Sequence, residues 1–171
     1  MKNKKKLTII TGPAGVGKST ISNILAEQSK KSALIEGDDI YHLVKGGYIS
    51  AWNDNNHLEV FWQNVISLIE NFLNKDYEVI FNYIVNKDNI KMLKERFKDV
   101  EIKYVVLLTD EKTIIERDKS RPLENQMHER VIILLNSFKN QNINDKYILD
   151  TSNLSINDTV KEIDNKRFIY K

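Results

Sequence analysis

The stretch Gly12-Pro13-Ala14-Gly15-Val16-Gly17-Lys18-Ser19 fits G-x-x-x-x-G-K-[ST] at every position, and no other feature restricts so tightly what this chain can fold into. A β-rich apolar run, Leu7–Thr11, leads in. A helical pattern, Lys18 with Ile21, Ile24 and Leu25, leads out. The motif therefore predicts a strand, a phosphate-binding loop and a helix in succession. Backbone N–H groups of such a loop wrap phosphates because glycine permits close approach and positive φ. The helix N-terminus adds its partial positive charge. In that arrangement Gly12 to Thr20 cradle the phosphates, Lys18 reaches the β- and γ-phosphates, and the Ser19 hydroxyl ligates Mg²⁺. A chance match in a glycine-rich turn lacks the flanking strand and helix.

Composition narrows the partners. The 171 residues are 41% hydrophobic and 29% charged, an ordinary globular balance that predicts a single domain over 1–171. A net charge of +2 is too small to argue for nucleic acid or an anionic membrane, and neither is expected as a partner. With no cysteine, a disulfide framework and a Cys-ligated zinc site are both excluded. The lysines of Met1–Lys6 are followed by only a short apolar run, too short for a secretory segment, so they read as a solvated tail and the expected location is cytoplasmic. No stretch reaches the length of a membrane span.

Strand-like runs are predicted at Leu7–Thr11, Ala33–Glu36, Glu78–Val85, Ile102–Leu108 and Tyr147–Leu149. Helical patterns fall near Lys18–Ser29, Asp39–Lys45, Leu58–Asn74, Asn89–Phe97, Glu111–Asp118, Glu124–Asn140 and Ile156–Asn165. Alternation of this kind predicts an α/β protein in three layers, with a parallel sheet between helices. Phe61, Val65, Leu68 and Phe72 are expected to pack on the sheet. The polar, aperiodic segment Gly46–His57 reads equally as a substrate-facing segment or as a surface loop.

The second strand ends in Glu36-Gly37-Asp38-Asp39. Ligands of parallel sheets bind beyond the carboxyl ends of the strands, where the P-loop also lies. Asp38 is placed to accept or orient the proton of an incoming hydroxyl. Asp39 either holds metal-bound water or caps a helix starting at Ile40. The third strand delivers Asn82 and Tyr83 to the same edge as candidate substrate contacts. No Walker-B aspartate is evident there. Arg117 and Arg121 stand four apart on a predicted helix ended by Pro122, and Arg130 follows. Three of only five arginines thus fall together. Guanidinium groups suit bidentate phosphate clamping, and ion pairing with Glu116, Asp118 and Glu129 is the alternative. His42, His57 and His128 match no metal or triad spacing.

Three blocks, TGPAGVGKST (Thr11–Thr20), IEGDDIY (Ile35–Tyr41) and LLTDEKTIIERDKSRP (Leu107–Pro122), resemble the small P-loop kinases of the nucleoside-monophosphate-kinase-like group. The ending YILDTSNLSINDTV (Tyr147–Val160) is similar to their last strand and helix. The Gly-Asp block is similar to the acceptor-side motif of gluconate kinase, adenylylsulfate kinase and chloramphenicol phosphotransferase relatives. The resemblance implies a five-stranded parallel sheet in order 2-3-1-4-5, Mg²⁺ and ATP as cofactors, and transfer of the γ-phosphate to a small-molecule hydroxyl. It assigns Asp38 as the acceptor-side base. Arg117 and Arg121 become the arginines at the edge of a short lid near 121–128, and Thr151 and Ser152 lie near the adenine. One departure bears on the acceptor: between Asp38 and Asn82 there is no arginine, although an acceptor bearing a phosphate wants such groups. An uncharged or sugar-like metabolite, or an antibiotic, fits better. The rivals are a GTPase, for which Asn86-Lys87-Asp88-Asn89 lacks the last aspartate of a guanine reader, and a non-catalytic ATP-binding module.

Overall fold

Five short apolar runs pair into one parallel sheet. The computed structural model describes residues 4–53 and 56–171. Its strands are β1 (Lys6–Thr11), β2 (Ser32–Glu36), β3 (Glu78–Asn82), β4 (Glu101–Leu108) and β5 (Ile148–Asp150), in the order β2-β3-β1-β4-β5. This is the expected topology. The central strands are apolar on both faces because helices cover both. Leu7, Ile9, Val79, Phe81, Ile102 and Tyr104 point to one side, where α3 (Asn56–Leu73) and α4 (Lys87–Arg96) pack. Ile10, Ile80, Val105 and Leu107 point to the other, against α1 (Lys18–Gln28) and α7 (Ile156–Ile163). The buried stripe of α3 is Phe61, Val65, Ile69 and Leu73. Leu68 and Phe72, expected in the core, are half-buried at its edge. Among the described residues no helix is long and apolar enough to cross a membrane.

Element ends differ from the sequence reading where side chains intervene. Lys6, read as part of the tail, opens β1 and pairs with Glu78 at 2.9 Å; Met1 to Asn3 lie outside the described residues. β3 stops at Asn82 rather than Val85, because the Val85 N–H donates to the Thr11 hydroxyl at 2.8 Å instead of continuing the ladder. Helix α4 starts at Lys87 because Asn86 and Asn89 cap each other's backbone: Asn86 Oδ1 accepts from Asp88 N at 3.0 Å and Asn89 N at 2.9 Å, and Asn89 Oδ1 accepts from Asn86 N at 3.2 Å. The near-match to a guanine reader is thus a helix cap. The second helix, α2, is only Gly37–Tyr41. Asp39 therefore sits inside its first turn and does not cap a helix at Ile40. The segment Gly46–His57 runs as turns and then enters α3 at Asn56; Asp54 and Asn55 lie outside the described residues.

The helix expected over Glu124–Asn140 is broken in two. A 3-10 turn covers Leu123–Asn125, and α6 (Arg130–Lys139) begins later. The cause is Asp118, buried near the end of α5 (Glu111–Lys119). Its carboxylate accepts from Met127 N at 3.0 Å and His128 N at 2.9 Å, holding those amides out of a helix, and His128 takes φ 50°.

Candidate active site

All five strands point their carboxyl ends at one edge, and the candidate residues gather there. β1 passes into the P-loop at Gly12, whose φ is 143°. A Cβ on Gly12 would be driven into the Leu107 carbonyl of β4, so the loop can leave the sheet this tightly only with glycine at that position. α1 then begins at Lys18.

A cleft of about 620 Å³ opens over the loop. Its walls include Ala14 to Ile21, Asp38, Asn82, Arg117, Arg121 and Thr151. Lys18 Nζ lies on the loop, donating to the Pro13 carbonyl at 3.0 Å. Burial pulls its pKa down to about 8, Asp38 draws it up, and the Arg121 charge pushes it further down. Lys18, Asp38 and Arg121 therefore share one electrostatic neighbourhood although they come from three elements.

Asp38 sits in the first turn of α2, directly after β2. The position depends on Gly37, where a Cβ would stand 2.6 Å from Cγ and 2.7 Å from Cβ of Tyr83. The Tyr83 side chain thus packs directly against the Gly37 backbone. Burial, and next the Asp38 charge, push its phenol above the usual tyrosine range, so it stays a neutral hydrogen-bond donor. Asp39 is absent from the cleft wall and contributes charge beside Glu36 instead.

Glu36 is a site residue that the sequence reading missed. It ends β2 in register with Asn82 of β3. The Asn82 amide donates to Glu36 Oε2 and, at 3.0 Å, to Ser19 Oγ; Ser19 Oγ is 3.5 Å from Glu36 Oε2. Glu36 Oε1 and Asn82 Oδ1 are buried without a hydrogen-bond partner. Burial, more than any other influence, raises the Glu36 pKa. Buried oxygens left open beside the P-loop hydroxyl form a hard-oxygen donor set of the kind Mg²⁺ takes. Among the described residues no three His, Cys, Asp or Glu side chains cluster as a metal cage. Mg²⁺ needs none, since it keeps waters and substrate phosphates as ligands.

The two arginines of the predicted pair have different surroundings. Arg117 is on α5, and its guanidinium donates to the Val16 carbonyl at 3.1 Å, to Thr151 Oγ1 at 3.3 Å and to the Thr151 carbonyl at 3.3 Å. It braces the P-loop to the end of β5. Arg121 lies past the end of α5, half-exposed in the cleft wall, 3.5 Å from the Asp118 carboxylate. Arg130 stands apart, over the Trp52 ring at 3.8 Å. Thr151 lines the cleft with Leu154 and Ile156, while the Ser152 hydroxyl accepts from the Asp110 N–H at 2.9 Å.

Known proteins share this frame. A guanylate kinase of Prochlorococcus marinus (strain MIT 9312) is 24% identical over 95% of this chain and 97% of its own length. A sugar kinase from Janibacter sp. HTCC2649 superposes with TM-score 0.70 at 12% identity, covering 92% of this chain and 91% of that one. A gluconokinase from Sinorhizobium meliloti 1021 superposes with TM-score 0.62 at 16% identity, covering 92% and 89%. The family model described as AAA domain matches residues 9–152. With that match across most of its length and the sheet order described above, the chain belongs to the AAA domain family and has the fold of the small P-loop kinases.

Proposed function

We propose that this protein, acting as one kinase-like domain with a short lid near 121–128, uses Mg²⁺-ATP to phosphorylate a hydroxyl of a small molecule. The observation that carries this reading is the sharing of one cleft by Lys18 and Asp38. A nucleotide-binding module needs the first and has no use for a carboxylate facing it. The similarity to a sugar kinase, a gluconokinase and a guanylate kinase supports phosphoryl transfer as the reaction class.

The residues suggest how the step runs. Asp38 accepts the proton of the acceptor hydroxyl as its oxygen bonds to the γ-phosphorus. The bond from that phosphorus to the bridging oxygen breaks, and ADP leaves with the electron pair. Lys18, Arg121 and the P-loop amides face the charge on the phosphoryl oxygens, the preorganised stabilisation that usually dominates such catalysis. Ser19, Glu36 and Asn82 would hold Mg²⁺, directly or through water, and the ion would supply charge neutralisation for the phosphates. Thr151, Leu154 and Ile156 offer a wall to the base. Asn82 and Tyr83 stand on the acceptor side. The chain from Asp38 to Asn82 contains no arginine, which favours an uncharged hydroxyl compound over a nucleotide phosphate.

The test is ADP release, coupled to a dehydrogenase readout, against sugars, nucleosides, aminoglycosides and other antibiotics. ADP release that depends on one acceptor class is expected. ATP turnover at one rate whether or not any acceptor is present would refute the assignment.

A further inference from the structure

Large apolar side chains are normally scattered when exposed. Here five of the nine exposed among the described residues lie between positions 43 and 60: Leu43, Tyr48, Ile49, Trp52 and Val60. Leu43 is 67% exposed, Trp52 61% and Val60 52%. Two of them, Leu43 and Val60, line a cavity of about 140 Å³ between α2 and α3, walled also by Ile40, Val44 and Phe61. Its polar lining is limited to Tyr41, His57 and Asn64, and the Tyr41 hydroxyl is turned to the Ile49 carbonyl at 2.7 Å.

Packed rings link this face to the candidate active site. Tyr48 meets Tyr41 edge-on at 5.9 Å, Tyr41 meets Phe61 at 5.8 Å, and Phe61 meets Tyr83 at 4.4 Å. The Tyr83 ring lies on Gly37, one residue from Asp38. The same helix, α2, thus presents Asp38 to the phosphate cleft and Ile40 to the apolar cavity. The Arg130 guanidinium, 3.8 Å above the Trp52 ring, fixes the far rim of the face to α6.

We propose that the acceptor is an amphiphile: a hydroxyl held at Asp38 is carried on an apolar or aromatic body seated against Ile40, Leu43, Val60 and Phe61. This rests on the kinase reading above and narrows its substrate class. A free polyol would bring several hydroxyls to a wall that can satisfy few of them, and each hydroxyl buried unpaired weakens binding. An anionic metabolite would meet no lysine or arginine among the residues that wall the cavity. An apolar body instead gains affinity from the area that it covers, about fourfold for each methylene buried.

The probes are methyl, butyl and hexyl β-D-glucosides and phenyl β-D-glucoside, titrated by calorimetry against the full chain loaded with a non-hydrolysable ATP analogue and Mg²⁺. Binding is read without transfer, so loss of the kinase reading (no ATP binding, or no acceptor-dependent ADP release) remains a separate result. Affinity is expected to rise about fourfold per methylene until the cavity fills, with the phenyl glucoside above the methyl. Val60→Asp and Leu43→Lys, both on exposed positions, should flatten the series by tenfold or more at hexyl while ATP affinity and the circular dichroism spectrum stay unchanged. Affinity independent of chain length overturns the proposal. So does tighter binding of gluconate or of a nucleoside monophosphate than of hexyl glucoside. A Val60→Asp protein that changes its sedimentation coefficient from dimer to monomer and leaves the series intact also overturns it, marking the face as a contact between copies.

Discussion

At the scale of single residues, two placements carry testable consequences. Gly37 is sterically required, because a methyl group there collides with the Tyr83 ring. Gly37→Ala is expected to cost about 1–3 kcal/mol, the range for overpacking a filled site, and to displace Asp38. Denaturant unfolding gives the first quantity and acceptor-dependent ADP release the second. Wild-type stability with wild-type turnover would remove Gly37 from the account. Lys18 has its ammonium pulled down to about 8 chiefly by burial. It is charged below that pH, and the charge attracts phosphate, so ATP affinity should fall as pH rises from 8 toward 10. Lys18→Ala should bind ATP weakly and show no such slope by calorimetry. The sign for stability is opposite. The folded value lies below the ordinary lysine value of 10.5, so the unfolded chain binds more protons between about 8 and 10.5, and the ligand-free protein gains stability across that window. Lys18, Ser19 and Asp38 were legible in the sequence because local motifs place them. Glu36 was not. Its importance comes from register with Asn82, a partner 46 positions away, and no local pattern reports that.

Elements show where local pattern loses to tertiary contact. Periodicity alone predicts one helix from Glu124 to Asn140, yet the Asp118 carboxylate captures the amides of Met127 and His128 and breaks the helix there, in the segment proposed as a lid. Asp118 reads in sequence as an ion-pair partner for the nearby arginines, and it does lie 3.5 Å from Arg121, but its buried position makes it the anchor of the segment. Asp118→Ala leaves those two amides and one guanidinium without an acceptor, at a cost of about 2–4 kcal/mol. Amide exchange at Met127 and His128 should accelerate far more than exchange in β1 or β4, and the KM for ATP should rise. Uniform acceleration across the sheet would mean that Asp118 supports the whole fold and not the lid. Helix α4 shows the opposite case. Its start at Lys87 comes from the Asn86–Asn89 cap, a signal present in the sequence but first set beside a guanine-binding motif.

For the whole molecule, sheet order and layering were readable from two sources. Apolar runs alternating with helical patterns imply a parallel sheet, and the three motif blocks, by resemblance, imply the order 2-3-1-4-5 that is observed. What was not readable is the apolar face between α2 and α3. The stretch Gly46–His57 has no periodicity, and the exposed apolar side chains between Leu43 and Val60 come together only where α2 and α3 pack. The proposed function divides the labour: the P-loop edge would bind the donor, and Asp38 would serve the acceptor. The most direct test is Asp38→Asn, measured twice, by calorimetric ATP titration and by single-turnover transfer to the acceptor that the ADP-release screen selects. Unchanged ATP affinity with transfer slowed by about 10²–10⁴, the usual contribution of a positioned acid or base, is the predicted result. Transfer at the wild-type rate would contradict it.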